Sequence, residues 1–368
     1  MPGTGVPTLR IGLRAIGPGE PVYVIAEAGV NHNGSVETAL RMVDAAKAAG
    51  ADAVKFQAFS AARLASRHAP QAAYQKGAAA AASQAEMLRT LELTPAEFAR
   101  IKRHCDDTGI EFLATPFGVD DLRMLLDLGV RAIKIASPDI INRPLLETSG
   151  GSRLPILLST GASEPAEIDA AHDLLAKQLE VPLVLLHCVS AYPVKLEQAN
   201  LRRIGTLRDR YQCPVGYSDH TQEVATGQVA VVAGACLLEK HFTLDRAQAG
   251  PDHAFSLSPA DLAEYIRLAR PPAATCGTGR PDFAEAMLGT GWLDVSDAER
   301  EVRTVSRCSV TAARDIPAGA SLGQDVLAVK RPGTGISPWQ IGEVIGRVAR
   351  CDIPADTPIT WDMLDSRS

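Results

Sequence analysis

What most constrains this chain is an alternation of strand-like and helix-like segments that begins near residue 21 and holds to about residue 270. Short apolar, β-rich runs fall at residues 22–26, 53–56, 112–114, 132–135, 156–158, 183–186, 215–217 and 236–238. Between them lie segments such as 36–49, 95–107, 119–128 and 165–178, with apolar residues three and four apart and charges in between. Eight strand–helix units in about 250 residues predict an α/β fold of the (β/α)8 TIM-barrel type. A doubly wound open sheet is the alternative, and it rarely needs eight near-equal units.

The pattern fades after Arg270. Residues 271–280, PPAATCGTGR, read as a Pro/Gly/Thr-rich linker, and a helical piece follows at 296–305. The C-terminal region changes to short strands and turns. It contains an internal repeat: DIPAGASLGQDVL at 315–327 and DIPADTPITWDML at 352–364 keep one register, with Asp325 matching Asp362. Such a repeat suggests an internal pseudo-twofold. The expected organisation is an extension (1–20), a catalytic barrel (21–270), a linker (271–301) and a small β-rich domain (302–368). A glycine and five alanines at 77–82 predict a helix on the barrel rim.

Composition narrows the partners. Apolar residues make up 46% and charged residues 22%, ordinary globular usage that argues against disorder. With 37 Lys and Arg against 43 Asp and Glu, the net charge is −6, and no basic cluster suggests a nucleic-acid partner. No apolar run reaches the ~18 residues of a membrane span, and residues 1–20 lack the apolar core of a signal peptide. Seven widely spaced cysteines without a CxxC pattern fit reduced thiols, hence a cytoplasmic protein.

The predicted strands turn polar at their C-terminal ends, where a TIM barrel builds its active site. They end in Glu27; Lys55 and Gln57; Thr115; Lys134 and Ser137; Ser159 and Thr160; His187, Ser190 and Tyr192; Ser218, Asp219 and His220; and Glu239, Lys240 and His241. His220 and His241, on neighbouring strands, could share a divalent ion, with Glu239 as a third ligand or a supporting group. Spacing alone also allows two ordinary histidines. Lys55 and Lys134 with Ser137, Ser159 and Ser218 could hold a phosphate, or each lysine could form a salt bridge across the barrel mouth. Glu27, Asp139 and Asp252 are acid–base candidates, or simply caps and loop charges. His187 and Cys188 alternate in a strand and point to opposite faces, which argues against a Cys–His nucleophile. No P-loop, GxSxG or HExxH is present.

The segments VYVIAEAGVNHNG, DAVKFQAF, FLATPF, KIAS, LSTGAS, LHCVSAYPV, VGYSDHT and EKHFTLD resemble the sialic acid synthase family, which includes legionaminate and pseudaminate synthases. The tail, with DIPAG and KRPGTGISP, is similar to the family's antifreeze-like (SAF, β-clip) domain. The resemblance implies a TIM barrel followed by that domain. It also implies condensation of phosphoenolpyruvate with an N-acylated amino-hexose such as N-acetylmannosamine, giving a nonulosonic acid and phosphate. A diacetamido-trideoxyhexose or another aldose is the alternative acceptor, and a non-catalytic sugar-binding homologue the alternative role.

On this resemblance His220 and His241 would bind a divalent metal, manganese above magnesium or cobalt. Lys55, Lys134, Ser137, Ser159, Ser190 and Ser218 would hold phosphoenolpyruvate. Gln57, Thr115, Tyr192, Asp252 and Arg331 would face the sugar, and Glu27, Asp139 and Glu239 would serve catalysis. Arg331 would reach a partner's active site, which implies a domain-swapped homodimer. Three positions depart from the family pattern. Pro138-Asp139 replaces Gly-Glu, the stretch from Gln75 through Lys76 to the alanines lacks a sugar-contacting Asn, and Arg307-Cys308-Ser309 replaces Arg-Arg-Ser.

Overall fold

A two-stranded antiparallel hairpin, β1 (Leu9–Ile11) and β2 (Arg14–Ile16), precedes the first predicted run in a computed structural model that describes residues 5–67, 69–72, 83–270 and 281–365. The eight apolar runs follow as β3 (Tyr23–Gly29), β4 (Ala53–Ala58), β5 (Glu111–Pro116), β6 (Ile133–Ile135), β7 (Ile156–Ser159), β8 (Leu183–Cys188), β9 (Val215–Asp219) and β10 (Leu237–His241). They form one eight-stranded sheet in the order β5–β4–β3–β10–β9–β8–β7–β6, with every hydrogen-bonded pair parallel. β5 and β6, the two ends of that order, lie against each other, so the sheet curls into a near-closed barrel. The predicted alanine-run helix, Gln75, Lys76 and the 271–280 linker lie outside the described residues.

Alternation along each strand sets what faces inward. Val24, Ala26, Val54, Phe56, Ile133 and Leu158 face outward and pack beneath the helices. Tyr23, Ile25, Ala53, Leu113, Ala132, Leu157, Leu186 and Leu237 face inward and fill the lower barrel. The stretch 1–20, expected as an N-terminal extension, contributes to that inner core through its described residues. Leu9, Ile11 and Ile16 of the hairpin join it and close the barrel's lower end. Two residues further along each strand, the inward row turns polar.

The connecting helices follow local signals. Helix Pro95–Thr108 starts at a capping box, with Thr94 N–H donating to Glu97 Oε2 at 2.7 Å and Thr94 Oγ1 accepting from Glu97 N–H at 3.3 Å. It ends at Gly109, whose φ of 71° is a left-handed cap. Its buried face is Phe98, Ile101 and Cys105, three and four residues apart. Among the described residues no helix is long and apolar enough to cross a membrane, and six cysteines are free thiols, five of them buried.

The tail folds around its own core of Val310, Ile316, Leu322, Ile353, Ile359 and Leu364. It carries the antiparallel pair β11 (Ser309–Ala312) and β12 (Leu327–Lys330). Its two repeats meet as the sequence implied. Ile316 and Ile353 exchange backbone hydrogen bonds at 2.9 and 2.8 Å. Asp315 Oδ1 accepts from Ala355 N–H at 2.7 Å, and Asp352 Oδ1 from Ala318 N–H at 2.8 Å. Each repeat's aspartate thus caps the other's turn.

The tail packs over the barrel of its own chain. Arg331 N–H donates to Leu64 C=O at 2.9 Å, and Ser66 N–H to Arg331 C=O at 3.0 Å. Arg67 pairs with Asp356 at 3.0 Å, and the Arg143 guanidinium lies over Trp339.

Candidate active site

A cavity of about 970 Å³ opens above the polar row at the C-terminal end of the barrel. Register builds it. Glu27 stands beside Lys55 on one side and His241 on the other, and Ser218 stands beside Glu239. Gln57 pairs with Thr115 across β4 and β5. Lys134, Ser159, Ser190, Ser137 and Tyr192 complete the lining from the other half of the barrel. Gly29, at φ 53°, adopts the left-handed conformation open to glycine. A Cβ there would lie 3.2 Å from Glu27 Oε1, 3.4 Å from Gln57 Nε2 and 3.5 Å from Asp252 Oδ2. The missing side chain is what lets those three groups converge.

The floor is a buried charge network. Lys55 Nζ lies 2.6 Å from Glu27 Oε2 and 3.5 Å from Glu239 Oε2, and donates to Thr115 Oγ1 at 3.1 Å. Lys134 Nζ donates to Ser159 Oγ at 2.7 Å and lies 3.8 Å from Glu239 Oε1. Ser218 Oγ donates to the same Glu239 oxygen at 2.8 Å. Burial works against the charge on Lys55, but Glu239 and Glu27 outweigh it and hold its pKa above the ordinary value. Burial wins at Lys134, whose pKa falls despite Glu239. Glu27 is pushed up by burial, against the pull of Lys55. Burial acts the same way on Glu239, yet Lys134 and Lys55 bring it below the usual carboxylate range. Asp252 is raised to about 7, by burial first and by Glu27 second.

His220 and His241 stand together above this floor, ring centroids 5.4 Å apart. Burial keeps both below the usual histidine pKa, so both are neutral near pH 7. The Val189 carbonyl 3.0 Å from His220 Nδ1 requires an N–H there, which leaves the Nε2 lone pair free. His241 Nδ1 is buried without a hydrogen-bond partner, 3.8 Å from Asp252 Oδ2. Behind them, on the outer face of β9 and β10, Asp219 and Lys240 form a fully buried pair at 3.0 Å. Asp219 also accepts from Thr221 at 2.6 Å and from Tyr265 at 3.2 Å. That network fixes the backbone on which the adjacent histidines sit. Two neutral imidazoles with available nitrogens fit a divalent cation. Among the described residues no third His, Cys, Asp or Glu joins them closely enough for an all-protein site. An ion here would keep positions open for substrate or water.

Of the residues to which the resemblance gave a binding or catalytic role, all line this cavity except Asp139. Asp139 is buried behind the wall. Its Oδ1 accepts from Asn142 Nδ2 at 3.0 Å and its Oδ2 has no hydrogen-bond partner. Its place in a 3-10 turn after β6, Ser137–Ile141, aims Ser137 and Pro138 at the cavity and Asp139 away from it. Arg331 lines the cavity of its own chain, where the resemblance placed it in a partner's. Its guanidinium lies 5.2 Å over the Phe117 ring, and its Nε is buried without a hydrogen-bond partner. Cys188 lines the cavity while His187 turns outward to the Ala199 carbonyl at 2.6 Å, as alternation required.

Sequence reasoning missed two parts of the site. One is an apolar wall of Val30, Leu64, Met87, Leu88, Leu91 and Phe117. The other is Glu299, whose carboxylate is wholly buried against the turns after β7 and β8. Apolar residues in loops and short helices look like core, and one glutamate in a helical pattern looks like surface, so neither left a local signal.

Comparison with known proteins agrees with this geometry. Residues 42–280 match the NeuB family, and residues 307–365 match the SAF domain. An N,N'-diacetyllegionaminic acid synthase of Legionella pneumophila is 38% identical over 360 residues, covering 96% of this chain and 98% of that one. The crystal structure of the spore coat polysaccharide biosynthesis protein SpsE from Bacillus subtilis matches with a TM-score of 0.83 and 31% identity, over 98% of this chain and 100% of that one. An N-acetylneuraminic acid synthetase from Leptospira borgpetersenii, solved with citrate, matches at 0.65 and 36%, over 81% and 95%. The strand-borne charges, the barrel and the tail therefore have one explanation: the chain belongs to the NeuB family and is a phosphoenolpyruvate-dependent condensing enzyme ending in a SAF domain.

Proposed function

We propose that this enzyme joins phosphoenolpyruvate to the open-chain aldehyde of an N-acylated amino-hexose, giving a nonulosonic acid and phosphate. The observation that carries this reading is the convergence of Lys55, Lys134 and several hydroxyls with two neutral imidazoles in one cavity. Lys55, Lys134, Ser137, Ser159, Ser190 and Ser218 hold the carboxylate and phosphate, because a dry site needs converging cations and donors to keep an anion. Carbon 3 of phosphoenolpyruvate attacks the aldehyde carbon, water adds at carbon 2, and the carbon 2–oxygen bond to phosphate breaks. Glu27 and Asp252, both raised in pKa and facing Gln57, are placed to take and return the protons. His220 and His241 would hold a divalent ion such as manganese, magnesium or cobalt, which when bound polarises a carbonyl as a Lewis acid.

The acceptor end favours a methyl-bearing sugar. Leu64, Met87, Leu88, Leu91 and Phe117 offer no partner for hydroxyls but do offer contact area for acyl and 6-deoxy methyl groups. Arg331 above Phe117 is placed to meet an acyl oxygen. A 2,4-diacetamido-trideoxyhexose fits this wall better than N-acetylmannosamine, and the Legionella relative is named for a diacetylated product.

Phosphate release from phosphoenolpyruvate, measured with manganese across N-acetylmannosamine, its 6-phosphate and a 2,4-diacetamido-trideoxyhexose, tests both statements. Release that requires an aldose and disappears with EDTA supports the condensation, and the preferred aldose identifies the sugar. Release without any aldose, or none with all of them, would overturn it.

A further inference from the structure

The turn after β7 is held in an unfavourable shape by a segment far away in sequence. Ala162 has φ 49°, a left-handed conformation that a residue with a Cβ keeps only when its surroundings impose it. Both of its backbone polar groups are engaged by residues 299–307. Its N–H donates to Glu299 Oε1 at 2.7 Å, and its carbonyl accepts from Arg303 and, at 3.0 Å, from Arg307. The same Glu299 oxygen accepts the N–H of Ser190, in the turn after β8, at 2.9 Å. Ser296 secures the other oxygen through its hydroxyl at 2.7 Å and its amide at 3.1 Å. Glu299 has no solvent exposure at all.

These two turns carry the anion end of the cavity. Gly161, beside Ala162, donates its N–H to Ser137 Oγ at 2.9 Å. A Cβ on Gly161 would stand 2.5 Å from Ser190 Oγ and 3.0 Å from Ser137 Oγ. The hydroxyls therefore crowd around one backbone point whose position Glu299 sets. The connector that supplies Glu299 lies between the two family matches, which end at 280 and resume at 307. Its helix, Arg300–Ser306, nevertheless lines the cavity through Val302 and Ser306.

We propose that Glu299, supported by Arg303 and Arg307, is a positioning group for the phosphoenolpyruvate end of the site. By gripping the turns after β7 and β8, it makes docking of the connector and binding of the anion one coupled event. A carboxylate suits the task because one charged oxygen satisfies two buried amides with strong hydrogen bonds. Alanine would leave both amides buried and unpaired, whereas glutamine keeps a neutral acceptor in place.

The inference rests on the reading that phosphoenolpyruvate is a substrate, so its binding to the wild-type chain is measured first by calorimetry. Glu299→Ala is expected to raise the phosphoenolpyruvate KM about ten-fold, with the sugar KM within two-fold of wild type, and Glu299→Gln to recover most of the loss. Equal movement of both KM values, or a fall in kcat alone, would overturn the proposal. If Glu299→Ala does not fold, hydrogen exchange of the wild-type chain with phosphoenolpyruvate alone decides. Protection should extend from 159–163 and 188–190 into 296–307, and protection confined to the barrel would overturn the coupling. Absence of binding to wild type would overturn the functional reading and this inference together. Binding with an indifferent connector would overturn only the inference.

Discussion

The floor and the wall of the cavity are built by different means. Floor residues Glu27, Lys55, Lys134, Ser159, Ser218 and Glu239 sit on barrel strands held in parallel ladders, on both sides for each of these strands but β6, which carries Lys134 and pairs with β7 alone. Their spacing is inherited from register, and each charge is satisfied by another charge or a hydroxyl. The wall comes from loops, short helices and the tail: Leu64, Met87, Leu88 and Leu91 from the long connection after β4, Phe117 from the end of β5, Arg331 from the SAF domain. Its members are apolar or singly charged, and none of them is tied to the floor network by an ion pair. A rigid charged floor suits a reaction step common to many acceptors. A wall carried on loops can change its acceptor without disturbing that step.

The largest effect should come from breaking the floor. Lys134→Met removes one cation from the network and leaves Ser159 Oγ without its donor. Taking one member from a buried charge network typically costs 3–5 kcal/mol, and the anion would lose a contact as well. That first cost falls on stability; the lost contact to the anion, about 1.5–3 kcal/mol for a charge-assisted hydrogen bond, should lower kcat/KM for phosphoenolpyruvate on the order of a hundred-fold at about 1.4 kcal/mol per ten-fold. The loss should be the same with every aldose. A fall that depends on the aldose would mean that floor and wall are not separable.

A smaller and more selective effect is expected at the wall. Arg331→Ala should raise the sugar KM roughly ten-fold, the size of one lost charge-assisted hydrogen bond, while the phosphoenolpyruvate KM stays within two-fold. Steady-state kinetics with each substrate varied in turn checks this. An increase confined to phosphoenolpyruvate would place the guanidinium at the anion end and redraw the boundary between the two regions.

How much of this was legible in the sequence follows the same division. The floor could be read because strands alternate: Tyr23, Ile25 and Glu27 share one face, as do Ala53, Lys55 and Gln57. A charge that ends an inward apolar row has nowhere to go but the barrel mouth. The tail repeat could be read because Asp315 and Asp352 do the same job twice. The wall could not, since Leu88 and Phe117 obey the pattern of any core residue, and only the closing of a loop over the mouth turns them into a binding surface. The hairpin Leu9–Ile16 escaped because three-residue strands carry too little periodicity. Asp139 lies outside the cavity lining for a related reason: inside a 3-10 turn, strand alternation no longer governs which way a side chain points.

Asp139 gives an effect expected in stability and not in a kinetic constant, and the sharpest contrast with the floor. Floor carboxylates have cations in contact, but Asp139 has one neutral donor, Asn142, and only the more distant charges of Arg331 and Arg307. Burial therefore dominates and raises its pKa from 3.8 to about 6. The folded chain thus binds this proton more tightly than the unfolded chain does. Ionising Asp139 costs nothing below about pH 4, costs progressively more between pH 4 and 6, and reaches a constant penalty above that. With about 1.36 kcal/mol per unit, the penalty is on the order of 3 kcal/mol at pH 8. Asp139→Asn keeps an acceptor for Asn142 and cannot ionise, so it should be more stable than wild type at pH 8 and nearly equal to it at pH 4. Urea denaturation of both proteins at pH 4, 6 and 8 measures the gap. A gap that widens across that window confirms a carboxyl isolated behind the wall. A variant less stable at pH 8 would show that Arg331 and Arg307 depend on the charge, and Asp139 would then belong with the floor carboxylates after all.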